Sequence, residues 1–400
     1  MKPDDNDQFK NVEFNKQLTS SEAKSFSMSK KIVIFVVAAA VALGSVLFFP
    51  MFLVLFGMAF DSFGHNTNKY SLMQMGYLRN KFVVYGEDNK AWLDQNKLVI
   101  FSSADGKEWD KNSVDFSWGN RDESFAKSTH GVFIEFNHQC YLIGAMASIL
   151  VSKACDNNWE YVIPNGLLRR SQGSLFNAHG AVVETSQNKL YVSGDGGIYS
   201  SNDGNNWLRE SLPYPTESNP NNFENIYNGI AIGDNKIITS SKWLHDGKTE
   251  GLIYTYDVLK QRWSYQVMPE LITRITRGSD RFVGVAKDTT FVLEDKLGIW
   301  QQSPKLEDRS FDLLVNGFIV IDGSYYIMFA SNRLFISFNG YKWQTADYTG
   351  YKGVYFWFSM VSECKQHVCL SVRGGTSNLL YFDTYNLQNN IYKSYKGTIN

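Results

Sequence analysis

Few residues in this sequence occur at the spacings that catalysis or metal binding requires. Cys364, His367 and Cys369 could provide three zinc ligands, but no suitable fourth ligand accompanies them. The glycine-rich run 194–197 has no helical segment after it, so it indicates a hairpin turn rather than a phosphate-binding loop. The patterns of P-loops, zinc peptidases, serine hydrolases and EF-hands do not occur. We therefore expect no metal and no cofactor, and a non-catalytic role is favoured over an enzymatic one.

The composition excludes several classes of protein. The 400 residues include 39 basic and 40 acidic side chains, a formal net charge of −1, so we expect no nucleic-acid partner. Hydrophobic residues make up 44% of the chain and aromatic residues 15%, which is enough for a large packed core and argues against disorder. Four cysteines are too few for a small disulfide-dependent domain.

The first seventy residues predict a membrane anchor. Residues 32–60 form a run of 29 residues without a charge, and a spanning helix needs about 20 apolar residues. A cleaved signal peptide, whose apolar core has only about 7–15 residues, is the alternative. Lys24, Lys30 and Lys31 precede the run and only Lys69 follows closely, so the N-terminus is expected in the cytoplasm. The absence of any Asn-x-Ser/Thr sequon favours a bacterial inner membrane with an exported periplasmic part. The expected domains are a cytoplasmic tail (1–31), a single-pass transmembrane helix (32–60), a linker (61–70) and an exported domain (71–400).

The exported part repeats a pattern of four short strands. Tyr227–Gln266 is the clearest unit, with four apolar or alternating runs separated by Gly, Asn and Asp turns. A Trp opens the last run of six units, at intervals of 37 to 56 residues: Trp109, Trp159, Trp207, Trp263, Trp300 and Trp343. In the final unit Tyr392 is near the equivalent place. Seven units of about 47 residues each predict an all-β fold, a seven-bladed β-propeller of four-stranded blades. A β-sandwich or two stacked β-domains is the alternative.

A second repeated mark opens the first strand of several units. It is a His-Gly or Asn-Gly pair, in which the glycine lets inner strands crowd together: His130-Gly131, His179-Gly180, Asn228-Gly229 and Asn316-Gly317. His130 and His179 could face the mouth of a central channel and bind there. The alternative is that they form hydrogen bonds between blades.

Three of the turns before the repeated Trp have the pattern Ser-x-Asp/Asn-Gly-x-x-Trp. This pattern resembles the Asp-box, or BNR, turn of sialidase-like propellers. The matching residues are Ser103, Asp105, Gly106 and Trp109; Ser201, Asp203, Gly204 and Trp207; Ser337, Asn339, Gly340 and Trp343. The resemblance covers residues 70–400 and implies a propeller fold. In that family the turn is structural, and physically an Asx side chain, a glycine and a buried Trp together stabilise a hairpin.

The resemblance also raises a carbohydrate-active function. Sialidases use a cluster of arginines, a Tyr/Glu nucleophilic pair and an acidic acid/base. Their first arginine stands in a Phe/Tyr-Arg-Ile-Pro motif, and the string Tyr77–Asn80, the nearest here, lacks the Ile-Pro. The other arginines that could form such a cluster carry no recognisable motif: Arg169, Arg170, Arg274, Arg277 and Arg281. We assign no catalytic residue.

The cysteines fit the expected blades. Cys140 begins the second strand of its unit and Cys155 ends the third, so the two should be neighbours. Cys364 and Cys369 flank a short turn between two strands of the last unit. Both pairs suit disulfides, which require an oxidising compartment and agree with export.

Long connections between units lie on one face of the predicted propeller, the loop-rich face, and so does a predicted loop within one unit, 242–251. Long loops on a rigid scaffold are common binding positions. The candidate contact residues there are Trp118, Arg169, Arg170, Phe176, Tyr214, Phe223, Trp243 and His245. Aromatic and Arg residues suit a protein interface, and exposed aromatic rings also suit sugar stacking. Because the ten-residue linker 61–70 reaches at most about 33 Å, this face should lie near the membrane.

The sequence therefore favours a membrane-anchored, non-catalytic propeller scaffold. Its expected partner is a protein at or near the membrane, in an envelope assembly, secretion or maturation system. A carbohydrate-active or glycan-binding propeller is the alternative.

Overall fold

A computed structural model of the chain separates it into two units, Met1–Asn66 and Thr67–Asn400. All residues that the structure describes belong to the second unit. They are 70–88, 97–115, 131–144, 149–156, 158–162, 165–166, 178–194, 197–215, 227–245, 248–287, 289–294, 298–304, 315–321, 323, 325–330, 333–346, 362–364, 367–374, 379–386 and 391–399. Within these ranges no helix has both the length and the apolar character needed to cross a bilayer. The predicted anchor at 32–60 lies outside them.

The strands occur in consecutive groups of four along the chain. The first two groups are β1 (Tyr70–Leu78), β2 (Lys81–Asp88), β3 (Lys97–Ser103), β4 (Glu108–Asp115), β5 (Val132–Phe136), β6 (Gln139–Ile143), β7 (Ile149–Ser152) and β8 (Glu160–Val162). The next two are β9 (Ala178–Glu184), β10 (Lys189–Gly194), β11 (Gly197–Ser201), β12 (Leu208–Arg209), β13 (Tyr227–Gly233), β14 (Lys236–His245), β15 (Lys248–Asp257) and β16 (Arg262–Met268). The last are β17 (Arg274–Arg277), β18 (Arg281–Val285), β19 (Thr290–Glu294), β20 (Trp300–Gln302), β21 (Val315–Ile321), β22 (Tyr325–Ala330), β23 (Arg333–Ser337), β24 (Gln344–Ala346), β25 (Ser362–Cys364), β26 (His367–Gly374), β27 (Leu379–Asn386) and β28 (Ile391–Ile399).

Each group forms an antiparallel sheet in which sequence neighbours are spatial neighbours. The prediction of an all-β chain built from four-stranded antiparallel sheets is therefore confirmed. The first strands of successive sheets also contact one another, and the contacts return to their starting point: β1 to β5, β9, β13, β17, β21, β25 and again β1. The first strands are thus the innermost elements of this arrangement.

Glycines allow the close approach of these first strands. A Cβ on Gly180 of β9 would lie 2.9 Å from the backbone N of Ile230 on β13. A Cβ on Gly76 of β1 would lie 2.8 Å from the Cβ of Phe133 on β5. Real Cβ atoms are not found at such distances, so backbone contact between inner strands depends on the missing side chains. The predicted role of the His-Gly pair at 179–180 agrees with this geometry.

The hairpins between first and second strands have a common turn chemistry. Arg79 and Asn80, and likewise Asp234 and Asn235, have positive φ angles between 45° and 62°. Two consecutive residues with positive φ form the turn that matches the right-handed twist of paired strands, and Asn and Asp tolerate that conformation. The short polar turns at 79–80 and 234–235 therefore fix the register of the β1–β2 and β13–β14 hairpins.

Contacts between neighbouring sheets follow one geometry at two distant places. After β8, the N–H of Asn165 donates to the carbonyl of Asn205 (3.0 Å), in the turn of the β9–β12 sheet. At the end of β28, the N–H of Thr398 donates to the carbonyl of Lys107 (2.7 Å), in the turn of the β1–β4 sheet. Asn205 and Lys107 occupy the same position, directly after the turn glycine. The same backbone contact therefore joins the β25–β28 sheet to the β1–β4 sheet and the β5–β8 sheet to the β9–β12 sheet. Parallel pairing of β28 with β4 makes β25–β28 and β1–β4 one eight-stranded sheet.

The disulfide predicted between Cys140 and Cys155 is present, with the two Cα atoms 5.4 Å apart. Cys140 lies in β6 and Cys155 follows β7, the adjacent strand, so the bond crosses a hairpin. Cys364 ends β25 and Cys369 is the third residue of β26. The side chains of that second pair lie outside the described part of the structure.

Candidate functional site

The three Ser-x-Asx-Gly turns are built from local hydrogen bonds. In the first, the Ser103 hydroxyl accepts from the N–H of Gly106 (2.8 Å), and Asp105 Oδ1 accepts from the N–H of Lys107 (2.8 Å). The Trp109 indole N–H then donates to the Gly106 carbonyl (3.1 Å), and its ring is fully buried. The serine, the aspartate and the Trp are thus committed to closing the turn.

The other two turns repeat these bonds. The Ser201 hydroxyl accepts from Gly204 (2.8 Å) and the Ser337 hydroxyl accepts from Gly340 (2.9 Å). The Trp207 indole donates to the Gly204 carbonyl at 3.0 Å. A pattern read from the sequence therefore corresponds to one recurring three-dimensional turn.

The carboxylate in the second turn is held in its charged form. The pKa of Asp203 is lowered to about 2, chiefly by the backbone N–H of Asn206, with further donation from the Asn206 amide and the Asn205 N–H. These donors favour the ionised carboxylate over the neutral acid. A general acid needs the opposite shift, so this aspartate suits a structural role.

The turns also dock on the preceding sheet. A side chain on Gly204 would collide with the Tyr141 ring of β6. In the last of the three turns, the Thr290 hydroxyl of β19 donates to the Gly340 carbonyl (2.7 Å) and lies 3.2 Å from the Trp343 indole nitrogen. Each turn therefore serves as a joint between sheets.

Most of the predicted loop-rich face lies outside the described residues. This is the case for Trp118, His130, Arg169, Arg170, Phe176 and Phe223. His179 is the second residue of β9 and is half-buried, and His245 is the last residue of β14, with its side chain not described. Tyr214, which follows β12, is 41% exposed. Tyr214 is thus the candidate contact residue that the structure places at the surface.

Trp243 was predicted as a contact residue, but the structure places it in the core. It is only 6% exposed and packs in an apolar cluster with Leu212 and Leu252. The physical reason is that the segment predicted as a loop, 242–251, is a continuation of the β14–β15 hairpin. Alternation along β14 puts Trp243 on the same buried face as Ile237, and the indole therefore contributes to the core.

Arg281 and Arg277 flank one hairpin and both lower the pKa of Asp280, and each described candidate arginine has a local partner. Arg277 Nη2 lies 2.6 Å from Asp234 Oδ2, and the Arg281 guanidinium pairs with Asp280, which raises the pKa of Arg281. Arg274 donates to the Thr273 carbonyl (2.9 Å), and burial lowers the pKa of Arg274. Within the described residues no group of three or more His, Cys, Asp or Glu side chains could hold a metal ion. The expected absence of a metal site stays a prediction for the whole chain.

An exposed patch of Tyr214, Tyr265 and Val267 lies where the β9–β12 and β13–β16 sheets meet; we call it the tyrosine–valine patch. Tyr265 and Val267 lie on β16 and are 37% and 42% exposed. Tyr265 lies opposite Tyr254 in the pairing of β15 with β16. Burial raises the pKa of Tyr254, and Tyr214 and Tyr265 contribute further to the rise. Tyr265 and Val267 were not among the predicted contact residues, although both follow Trp263 at alternate positions of one strand.

Comparisons with known proteins support a propeller-like fold. No protein-family model matches the sequence, and no curated protein does. A puromycin-hydrolyzing peptidase of Mycobacterium tuberculosis superposes with a TM-score of 0.53 at 8% identity, over 82% of this chain and 52% of the peptidase. PorZ, a surface component of the type-IX secretion system of Porphyromonas gingivalis, gives 0.50 at 7% identity, over 82% of this chain and 59% of PorZ. BamB from Moraxella catarrhalis gives 0.43 at 11% identity, over 82% of this chain and 83% of BamB.

The chain thus spans little more than half of the peptidase and of PorZ. These structures are β-propeller-like, and at such low identity the likeness concerns the fold alone.

Proposed function

We propose that this chain is a single-pass membrane protein whose exported seven-bladed β-propeller binds a protein partner without catalysis. The blade number is supported by the cycle of contacts among the first strands and by the repeated joint at Asn165 and Thr398. The Asp-box character of the turns is supported by the Ser–Gly and Trp–Gly hydrogen bonds they share.

The proposed location of the propeller is supported by the sequence that precedes it and by one disulfide. The uncharged run at 32–60 supports an anchor, and the lysines before it support a cytoplasmic N-terminus. The Cys140–Cys155 disulfide supports an oxidising compartment, because such bonds are rare in cytosolic proteins. We propose a bacterial inner membrane with the propeller in the periplasm.

One observation carries the binding role: the exposed tyrosine–valine patch. Large apolar side chains that remain exposed beside one another mark interaction sites, and Tyr is enriched at protein interfaces. The patch includes Tyr214, a candidate from the predicted loop-rich face, and extends it onto β16. PorZ is described as a component of a secretion system, and a role in envelope assembly, secretion or maturation is proposed here for this chain.

A crosslinked pull-down from native membranes tests this proposal with the full-length chain. The unaltered chain should capture a defined protein, and Tyr214→Ala should reduce its recovery at least tenfold. Leu259→Ala is the matched control, because Leu259 is 78% exposed in the hairpin turn of the same sheet but outside the patch. Equal recovery with Tyr214→Ala and Leu259→Ala would contradict the assignment of the patch.

A carbohydrate-active or glycan-binding role is the second candidate. Tyr214 and Tyr265 are exposed rings on which a sugar could stack, so the same observation favours it. A glycan array and a sialidase-type activity screen distinguish the two candidates. Glycan binding that Tyr214→Ala abolishes, with no protein captured from membranes, would support this second role.

A further inference from the structure

The outer strand β16 is unusual among the outer strands of the described sheets. It has seven residues and pairs only with β15. The other outer strands that end a sheet have two or three residues: β8, β12, β20 and β24. β4 and β28 are also long, but they pair with each other. In the described part of the chain, β16 is therefore the long outer strand that lacks a neighbour.

The free edge of β16 offers backbone hydrogen bonds. In an antiparallel pair about half of the N–H and C=O groups of the outer strand point away from its partner. Proteins protect such edges with short strands, bulges, proline or lysine. β16 pairs with β15 in continuous register from Arg262 to Met268, without a bulge, and contains neither proline nor lysine. Among the residues that the structure describes, no strand pairs with this outer edge.

Side chains along the same strand favour an apolar partner. Tyr265 and Val267 lie on the face of β16 that is turned towards the β9–β12 sheet, because their partners on β15 are Tyr254 and Leu252, which pack with Tyr191. The outer strand of that sheet, β12, has only two residues. The neighbouring sheet is thus too short at its rim to cover Tyr265 and Val267, and both remain exposed.

We propose that an extended segment of the protein partner adds to the outer edge of β16 as a fifth strand, with apolar residues at alternating positions that pack on Tyr265 and Val267. This inference rests on the proposed function and names how the partner binds. Strand addition to an exposed edge draws affinity from main-chain hydrogen bonds and specificity from alternate side chains.

A second copy of this chain fits the edge less well. Seven residues of strand make a strip about 23 Å long and about 10 Å wide, which buries roughly 500 Å² over both chains. A stable interface between two folded proteins buries about 1,200–2,000 Å². A flexible segment can also follow the surface beyond the edge to Tyr214, which a rigid second propeller cannot do as readily.

A random library of twelve-residue peptides, selected on the full-length chain in detergent micelles, tests the inference. Enriched peptides should carry apolar residues at alternate positions. Their binding should slow hydrogen exchange of backbone amides within 262–268. Tyr265→Ser and Val267→Ser should each weaken binding at least tenfold, whereas the matched control Leu259→Ser should change it less than twofold.

Three results would overturn the inference. The first is a selection without enriched peptides, and the second is peptide binding without slower exchange in β16. The third is concentration-dependent protection of β16 amides in the absence of peptide, which would assign the edge to a second copy. A failure of the proposed function is distinguishable, because it appears as no partner captured by the unaltered full-length chain in the membrane pull-down.

Discussion

Replacing Trp207 with alanine should lower the stability of the propeller by several kilocalories per mole. The ring is 5% exposed, and its N–H donates to the Gly204 carbonyl. A buried Trp removes about 200 Å² from water, which at about 25 cal/mol/Å² corresponds to about 5 kcal/mol. Compact unfolded chains already bury part of this area, so we expect a loss of about 3–5 kcal/mol.

Thermal unfolding of the full-length chain measures this loss. The entropy of unfolding is about 2.1 cal/mol/K per residue, or about 0.7 kcal/mol/K for the unit Thr67–Asn400. Trp207→Ala should therefore lower Tm by about 4–7 °C. Trp207→Phe keeps most of the apolar ring and loses mainly the hydrogen bond, so its fall should be about 2–3 °C.

The half-buried Trp343 provides an internal comparison. Trp343→Ala should lower Tm less than Trp207→Ala does, because less area leaves water when its sheet folds. A fall of under about 1.5 °C for Trp207→Ala would refute the reasoning that the turn indole is a core residue. Equal falls for Trp207→Ala and Trp207→Phe would refute the assignment of the loss to ring area.

Three further predictions concern the turns, the disulfide and the chain end. The pKa of Asp203 is lowered to about 2 in the folded protein, from an unfolded value near 3.8. The ionised carboxylate therefore stabilises the folded state fully above the unfolded pKa, and this contribution is lost as pH falls through about 2. The difference in Tm between the unaltered chain and Asp203→Asn should therefore be constant above about pH 5 and shrink below about pH 4, and a constant difference down to pH 2 would contradict this. The disulfide closes a loop between residues 15 apart in sequence. Its removal with Cys140→Ser and Cys155→Ser should lower the free energy of unfolding by about 3 kcal/mol, measured under non-reducing conditions. An unchanged Tm would argue against the bond. Truncation after Gly397 removes the parallel pairing that Thr398 makes with β4, so hydrogen exchange should become faster in β4 but not in β16. An equal change in the exchange rates of β4 and β16 would contradict the proposed joint.

The parts of the fold that depend on local chemistry could be predicted from the sequence. The Ser-x-Asx-Gly-x-x-Trp pattern encodes its own hydrogen bonds, so turns such as Ser201–Trp207 are readable without knowledge of the rest of the chain. The cross-strand disulfide was predictable because strand alternation and turn position fix which cysteines are neighbours.

Features that depend on two sheets at once could not be predicted in this way. Trp243 was predicted in a loop at 242–251, yet β14 and β15 continue through its described residues. Trp243 is buried on the same face of β14 as Thr239 and Ser241. The exposure of Tyr265 and Val267 depends on the length of β12, a strand in a different sheet. No periodicity within β16 carries that information.

The joint at Thr398 has a consequence for how the protein is made. Thr398 and Ile399, at the end of β28, supply the partner for the turn that contains Lys107, which is synthesised almost three hundred residues earlier. The outer strand of the first sheet, β4, therefore lacks this pairing until β28 has been synthesised. Because the same joint occurs inside the chain at Asn165, a chain that began at another sheet could close through an equivalent joint. In a circular permutant, the end of β28 is linked to the start of β1 and the chain is opened between β8 and β9. This permutant should form the same two joints, at Asn165 and Thr398, but their residues would be synthesised in a different order.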